Sequence, residues 1–255
     1  MMKVILIGSG NVATHLGGAL KAAGHDILQV WSRNANHASA LASLLSAAPI
    51  DNFDDLNDNA DIYILSVADD AIADMASDFP FKDKLLVHTS GTTELDAIKS
   101  GSSLTGVFYP LQTFSKQKPV DFRNIPIVVE GSSESISSLL LSLASDISDK
   151  TEVVNSEKRR VLHLAAVFAC NFSNHLYAIA GEILAEQQLN FDLIRPLIAE
   201  TAAKAQVYAP SQVQTGPAAR KDFGTMERHL LYLENKQEWH KIYKVLSESI
   251  VNNTQ

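Results

Sequence analysis

Gly8, Gly10 and Ala13 stand at the spacing G-x-G-x-x-A directly behind Lys3-Val-Ile-Leu-Ile7, five residues that read as a buried strand. The chemistry open to such a turn is the holding of a pyrophosphate. Gly8 permits the tight turn, Gly10 lets the backbone approach a phosphate, and Ala13 keeps helix and strand close. A helix is expected from Val12 to about Ala23, closed by Gly24. Its free N–H groups and the positive end of its dipole would face the anion. Ser9, Asn11 and Val12 complete the turn, which implies a dinucleotide site; a purely structural tight turn is the alternative.

The second strand, Asp26-Ile-Leu-Gln-Val-Trp31, ends in Ser32, Arg33 and Asn34. An NAD or FAD site normally places an acid about 20 residues past the glycines, on the ribose 2′-hydroxyl. Here a hydroxyl, a guanidinium and an amide replace it, donors suited to a 2′-phosphate. NADP is therefore the expected cofactor, and a merely solvated Arg33 the alternative.

Further strand ends supply further candidates, because open parallel sheets bind ligands beyond the carboxyl ends of their strands. In Ser66-Val-Ala-Asp-Asp70, the backbone at Val67 and Ala68 could line the adenosine side. Asp69 and Asp70 are expected to cap the next helix. In His88-Thr-Ser-Gly91, Thr89, Ser90 and Gly91 could reach the nicotinamide ribose, with His88 either beside them or buried at the strand end. Tyr109, Gln112 and Thr113 could orient a substrate, although a plain proline turn at Pro110 also accounts for them.

A long helix over Ser156–Gln187 carries His163, Cys170, Asn171, Asn174 and Tyr177 within an arc of roughly 120°, at 100° per residue. Its neighbours are apolar nearly all round, so the helix is expected to be buried. Buried amides and an imidazole need partners. His163, Asn171 and Asn174 are thus candidate catalytic residues, and a structural polar network is the other reading. Cys170 reads as a small core residue. Near the C-terminus, Thr215 before Gly216-Pro217 reads as a helix start, with Arg220 beside it as a clamp for a carboxylate or phosphate or, equally, paired with Asp222 or Glu227.

The elements that must position these groups follow from the rest of the chain. Its 255 residues suffice for one large domain or two moderate ones. A hydrophobic share of 46% with 20% charged residues is ordinary for a water-soluble fold. The net charge of −8 argues against nucleic acid or an acidic membrane surface as partner, so an anionic ligand needs local donors. One cysteine fits a reducing, cytoplasmic setting. No signal peptide, membrane span or metal-ligand spacing is apparent, so no metal is expected. Residues 1–154 alternate strands and helices, with strand candidates at 48–50, 61–67, 84–88, 104–108, 125–129 and 151–154 after the first two. Residues 155–255 read as helical throughout. The expected fold is an α/β Rossmann-like, doubly wound parallel sheet for NADP, followed by an all-α substrate and dimerisation domain.

The motifs Gly8-Ser-Gly-Asn-Val-Ala13, His88-Thr-Ser-Gly91, Tyr109-Pro-Leu-Gln-Thr-Phe114, His163-Leu-Ala-Ala-Val-Phe168, Asn171-Phe-Ser-Asn-His175 and Gln214-Thr-Gly-Pro-Ala218 together resemble a bacterial family. Its members carry a Rossmann-like domain and a C-terminal helical domain of unknown function, and are labelled as candidate NADP oxidoreductases. More distantly, the architecture is similar to pyrroline-5-carboxylate reductase, β-hydroxyacid dehydrogenases and deazaflavin-dependent NADP reductases. The resemblance implies an NADP site and a homodimer through the C-terminal helices; the expected reaction, read from the candidate residues, is hydride transfer to a small, anionic carbonyl or imine. The lysine and asparagine, four apart, of β-hydroxyacid dehydrogenases are absent, since Leu162 follows Lys158 and Val167 precedes Asn171. A non-catalytic NADP-binding regulator is the alternative function. For an enzyme, the expected site is a cleft between the domains.

Overall fold

The computed structural model describes residues 1–253. The chain runs β1 (Lys3–Ile7), α1 (Asn11–Ala22), β2 (Asp26–Trp31), α2 (Ala35–Leu45), β3 (Ala48–Ile50) and β4 (Ile62–Leu65). Then come α3 (Ile72–Ser77), β5 (Leu85–His88), β6 (Leu104–Pro110), β7 (Ile127–Gly131), α4 (Glu134–Ile147) and β8 (Thr151–Val153). The eight strands form one sheet in the order β3-β2-β1-β4-β5-β6-β7-β8. Val4, Ile5, Leu6 and Ile7 of β1 are all fully buried. Val4 and Leu6 pack with Leu16 and Leu20 of α1, and Ile5 and Ile7 with Ile72 and Ala76 of α3. Burial on both faces is why the strands read as continuous apolar runs.

The sheet is parallel from β3 to β6, but β7 pairs antiparallel to β6, and β8 follows β7 in parallel. The expected Rossmann-like, doubly wound sheet is borne out, with one antiparallel pair, β6 with β7, that the sequence did not show. A strand's composition records burial and not direction, and the connection from Pro110 to Ile127 carries only the short 3-10 turn Phe122–Asn124, too little helix to cross over the sheet.

Beyond β8 come α5 (Ser156–Ala166), a π-helical turn (Val167–Phe172), α6 (Ser173–Glu186), α7 (Arg195–Val207), α8 (Phe223–Tyr232) and α9 (Gln237–Asn253). The chain divides into two compact units, Met1–Asn171 and the residues from Phe172 onward. In the first unit, Asn155 caps α5 by accepting from the Lys158 N–H. In the second, only Ile179, Ala218, Leu233 and Ser247 are buried among the described residues. Three expectations are corrected here. The π turn interrupts the long helix, so an arc drawn at 100° per residue does not hold across it. That segment is largely exposed, Cys170 included. The segment 217–222 is a series of turns, and helix α8 starts only after Asp222, whose carboxylate accepts from the Thr225 N–H. Among the described residues no helix is long and apolar enough to cross a membrane.

Candidate functional site

Three strand ends meet at Gly8. Its N–H donates to the Trp31 carbonyl at the end of β2, and the Ser66 N–H after β4 donates to Ile7 O. Gly8 has φ +125°, and a Cβ there would lie 2.2 Å from the Ser66 carbonyl oxygen, so no other residue fits. This is also where the strand order reverses, β1 having β2 on one side and β4 on the other, the place where open α/β sheets form their ligand crevice. Gly10 holds the cap position of α1, and no side chain caps that helix. A Cβ at Gly10 would meet no protein atom within 4 Å. The turn thus leaves free N–H donors and open space, a cradle that fits a pyrophosphate.

A cavity of about 590 Å³ opens over this turn. Gly8, Ser9, Gly10, Asn11 and Val12 line it on one side, with Ser32, Arg33 and Asn34 at the end of β2 and Val67, Ala68 and Thr89 across from them. Ala13 is fully buried and seats α1 on the sheet. Trp31, His37, Ser66 and Asp69 also line the cavity; Ser66 and Asp69 belong to the strand end expected on the adenosine side, whereas sequence reasoning missed Trp31 and His37. His37 had a signal: it lies three residues past Asn34, which caps α2 by accepting from the N–H groups of Asn36 and His37. The Ser9 hydroxyl donates to Ser32 Oγ at 2.9 Å, joining the glycine turn to the β2 end. Arg33 also borders a second cavity of about 600 Å³ with Phe53, Ala71 and Met75, lined too by Asp70, Asp74 and Asp78. It can therefore present its guanidinium to a phosphate on one side and its flat face to a ring on the other.

Asp69 does not cap the next short helix, whose cap position is Ala68; its carboxylate accepts from the Thr92 hydroxyl at 2.6 Å. Ser90 is equally committed, its Oγ accepting from the N–H groups of Thr92 and Thr93. His88 is fully buried and its Nδ1 accepts from the Ser90 N–H at 3.2 Å. Burial, then the nearby Arg159 charge, pushes its pKa down to about 4. It is a neutral strand-end group of the protein interior.

The sequence did not announce a pairing between Tyr109 and His163. Strand β6 runs on to Pro110 and so carries Tyr109, whose hydroxyl lies 3.0 Å from His163 Nδ1 of α5. Gly91 makes room for both: a Cβ there would be 2.5 Å from His163 Nδ1 and 2.8 Å from Tyr109 Cζ. Burial, reinforced by Asp69, holds the Tyr109 phenol above its ordinary pKa, so it stays protonated at neutral pH. Arg159, one helical turn before His163, is fully buried, ion-paired to Glu130 of β7, and donates to the Thr93 carbonyl. Ser156 donates to the same carboxylate at 2.7 Å and accepts from the Leu95 N–H. This network anchors α5 and hence His163; its only advance signal was a charged residue on the His163 face of the helix.

Gln112 and Thr113 are exposed and bonded to each other. Asn171 is exposed in the π turn. In the second unit, Asn174 is exposed on α6 and Arg220 is exposed, while Thr215 and Gly216 line an apolar cavity of about 280 Å³ with Pro217, Trp239 and Ile250.

Comparison with known proteins agrees with this geometry. Residues 3–91 match the family described as NADP oxidoreductase, coenzyme F420-dependent, and residues 125–250 match a domain of unknown function, DUF2520. A Bacteroides fragilis protein described as a candidate NADP oxidoreductase is 40% identical over 98% of both chains, with a TM-score of 0.93. The fold is shared with 1-pyrroline-5-carboxylate reductase of Streptococcus pyogenes, at 12% identity, 99% and 98% coverage and TM-score 0.65. It is also shared with an imine reductase of Myxococcus stipitatus in complex with NADP+, at 16% identity, 98% and 92% coverage and TM-score 0.63. No curated protein matches this chain. The chain belongs to the bacterial family of Rossmann-like oxidoreductases that carry a C-terminal DUF2520 domain.

Proposed function

We propose that the protein is an NADP(H)-dependent oxidoreductase that delivers a hydride to a small, anionic carbonyl or imine. The observation that carries this reading is Arg33, placed at the end of β2 where an acid would otherwise meet a ribose hydroxyl, and bordering both cavities. Residues 8–13 would hold the pyrophosphate, Ser32, Arg33 and Asn34 the 2′-phosphate, Val67 and Ala68 the adenosine, and Thr89, Ser90 and Gly91 the nicotinamide ribose. Bound NADPH supplies the hydride.

The chain's own residues supply position and a proton. His163 and Tyr109, 3.0 Å apart, form a donor pair in which the phenol stays protonated and the imidazole can relay a proton to a developing alkoxide or amine. Asn171, Asn174, Gln112, Thr113, Thr215, Gly216 and Arg220 are the candidates for orienting the substrate, with Arg220 favouring an anion. Two fold relatives are named for the reduction of imines, one of them a cyclic imine carboxylate, which supports an imine of that kind here. We further propose a cytoplasmic homodimer assembled through the C-terminal helices, where Leu193, Leu197 and Val207 are more than half exposed.

Titration with NADPH and NADH tests the reading. NADPH is expected to bind more tightly, and Arg33→Ala to remove roughly tenfold to a hundredfold of that preference. Equal affinity for the two in the unaltered protein would overturn it. Turnover is tested by NADPH oxidation across keto acids and cyclic imines; tight binding with no turnover at all would favour a regulatory role.

A further inference from the structure

Between Pro110 and Ile127 the chain crosses the start of α1, and it is fastened there by side chains more than ninety residues earlier in the sequence. Asn11 Nδ2 donates to the Phe114 carbonyl at 2.9 Å. His15 Nε2 lies 2.9 Å from the Ser115 carbonyl, and its ring stacks on Phe114 with centroids 5.3 Å apart. Lys116 then extends its ammonium to the Ser9 carbonyl at 3.1 Å, inside the glycine turn itself. The segment's own backbone bonds are few: Leu111 N to Pro126 O closes its base, and Gln112 N to Pro110 O and Lys118 N to Ser115 O are local. Its place over the turn is therefore set by α1 together with Phe122, on which the Phe114 ring also stacks with centroids 5.8 Å apart.

Charge gives this placement a use. A pyrophosphate carries two negative charges into a protein of net charge −8. The cavity over the turn is lined by Asp69 and, among lysines and arginines, by Arg33 alone, which stands at the far end beyond Ser32. The N–H groups of α1 offer partial charge only. Lys116 brings a full positive charge to the residue between the two glycines.

Resting on the NADP reading above, we propose that Lys116 is the counter-charge of the cofactor's pyrophosphate, and that residues 111–118 form a strap which the bound dinucleotide orders. The strap also carries Gln112 and Thr113, so cofactor binding would fix two candidate substrate contacts and make binding ordered, cofactor first.

The test uses the full chain and three titrations. Lys116→Met is expected to weaken NADPH about fivefold, an effect that shrinks in high salt, whereas Lys116→Arg retains affinity. Neither is expected to change the affinity for adenosine 2′-monophosphate, which has the 2′-phosphate but no pyrophosphate and should depend on Arg33. Hydrogen exchange supplies the second readout. NADPH should slow exchange of the amides over 111–118 in the unaltered protein, and Lys116→Met should abolish that slowing while residues 8–13 stay protected. If the unaltered protein binds NADPH and Lys116→Met binds it equally well with the strap equally protected, the proposal fails and the cofactor reading stands. If the unaltered protein binds neither NADPH nor adenosine 2′-monophosphate, both fail together.

Discussion

Helices α1 and α7 are nearly equal in length, twelve and thirteen residues, and their surroundings could hardly differ more. Helix α1 buries Ala13, Leu16, Gly17 and Leu20 against the sheet, and its first turn faces the cavity. Helix α7 buries nothing; Leu197 is 65% exposed and Val207 72%. What holds α7 at its start is local, Arg195 bonded to Asp192 and lying over the Phe191 ring. Isolated helices shorter than about 12–15 residues are marginal in water. The first unit thus holds its site helix by contacts within one chain, whereas α7 leaves Leu197 and Val207 exposed in a single copy.

The sharpest break of that comparison is at Arg159, the charge that ties α5 into the first unit. Arg159→Met leaves the largely buried Glu130 with Ser156 as its remaining side-chain partner, and breaking a buried pair from one side costs about 3–5 kcal/mol. Urea unfolding should show a loss of that size. Adding Glu130→Leu should recover part of it, because the uncompensated charge is then gone too. A single-variant loss below about 1 kcal/mol would mean that the network does not anchor α5.

His88 gives a pH test of the same region. Its pKa is about 4 folded and 6.5 when unfolded, so between those values the unfolded chain binds a proton that the folded one does not. The stability it contributes is complete above about pH 6.5 and is lost as pH falls toward 4, by up to about 3 kcal/mol. His88→Asn keeps an acceptor for the Ser90 N–H and removes the titration. The difference in unfolding free energy between the two proteins should shift by that amount across the window. A pH-independent difference would place His88 in contact with water.

Most of the fold was legible because burial leaves a signature in composition. β1 is apolar on both faces and reads as a strand, and Gly8, Gly10 and Ala13 announce the turn behind it. Arg33 was legible too, since a missing acid at a fixed distance from the glycines is itself a pattern. Periodicity, however, reaches only as far as one element. Tyr109 and His163 are 54 residues apart, Glu130 and Arg159 are 29 apart, and Ser9 and Lys116 are 107 apart, so no local rule brings them together. The π turn over Val167–Phe172 contains neither proline nor glycine to mark it, which is why a regular helix was the natural expectation there. Strand direction was hidden for a similar reason: β7 would read the same whichever way it ran.

The smallest expected effect within a single chain belongs to Leu197→Glu on α7. In one copy this side chain is 65% exposed. Surface changes of this kind usually stay within about 0.5 kcal/mol. NADPH binding, which depends on the first unit, should therefore be unchanged. Self-association should not be. If α7 is covered by a second copy, the substitution buries a charge opposite apolar side chains and should weaken the dimer at least tenfold, about 1.4 kcal/mol. Light scattering over a dilution series reads this directly, as a lower concentration range of dimer for the unaltered chain than for the variant. A monomer at every concentration in the unaltered protein would remove the contrast between α1 and α7, and with it the homodimer.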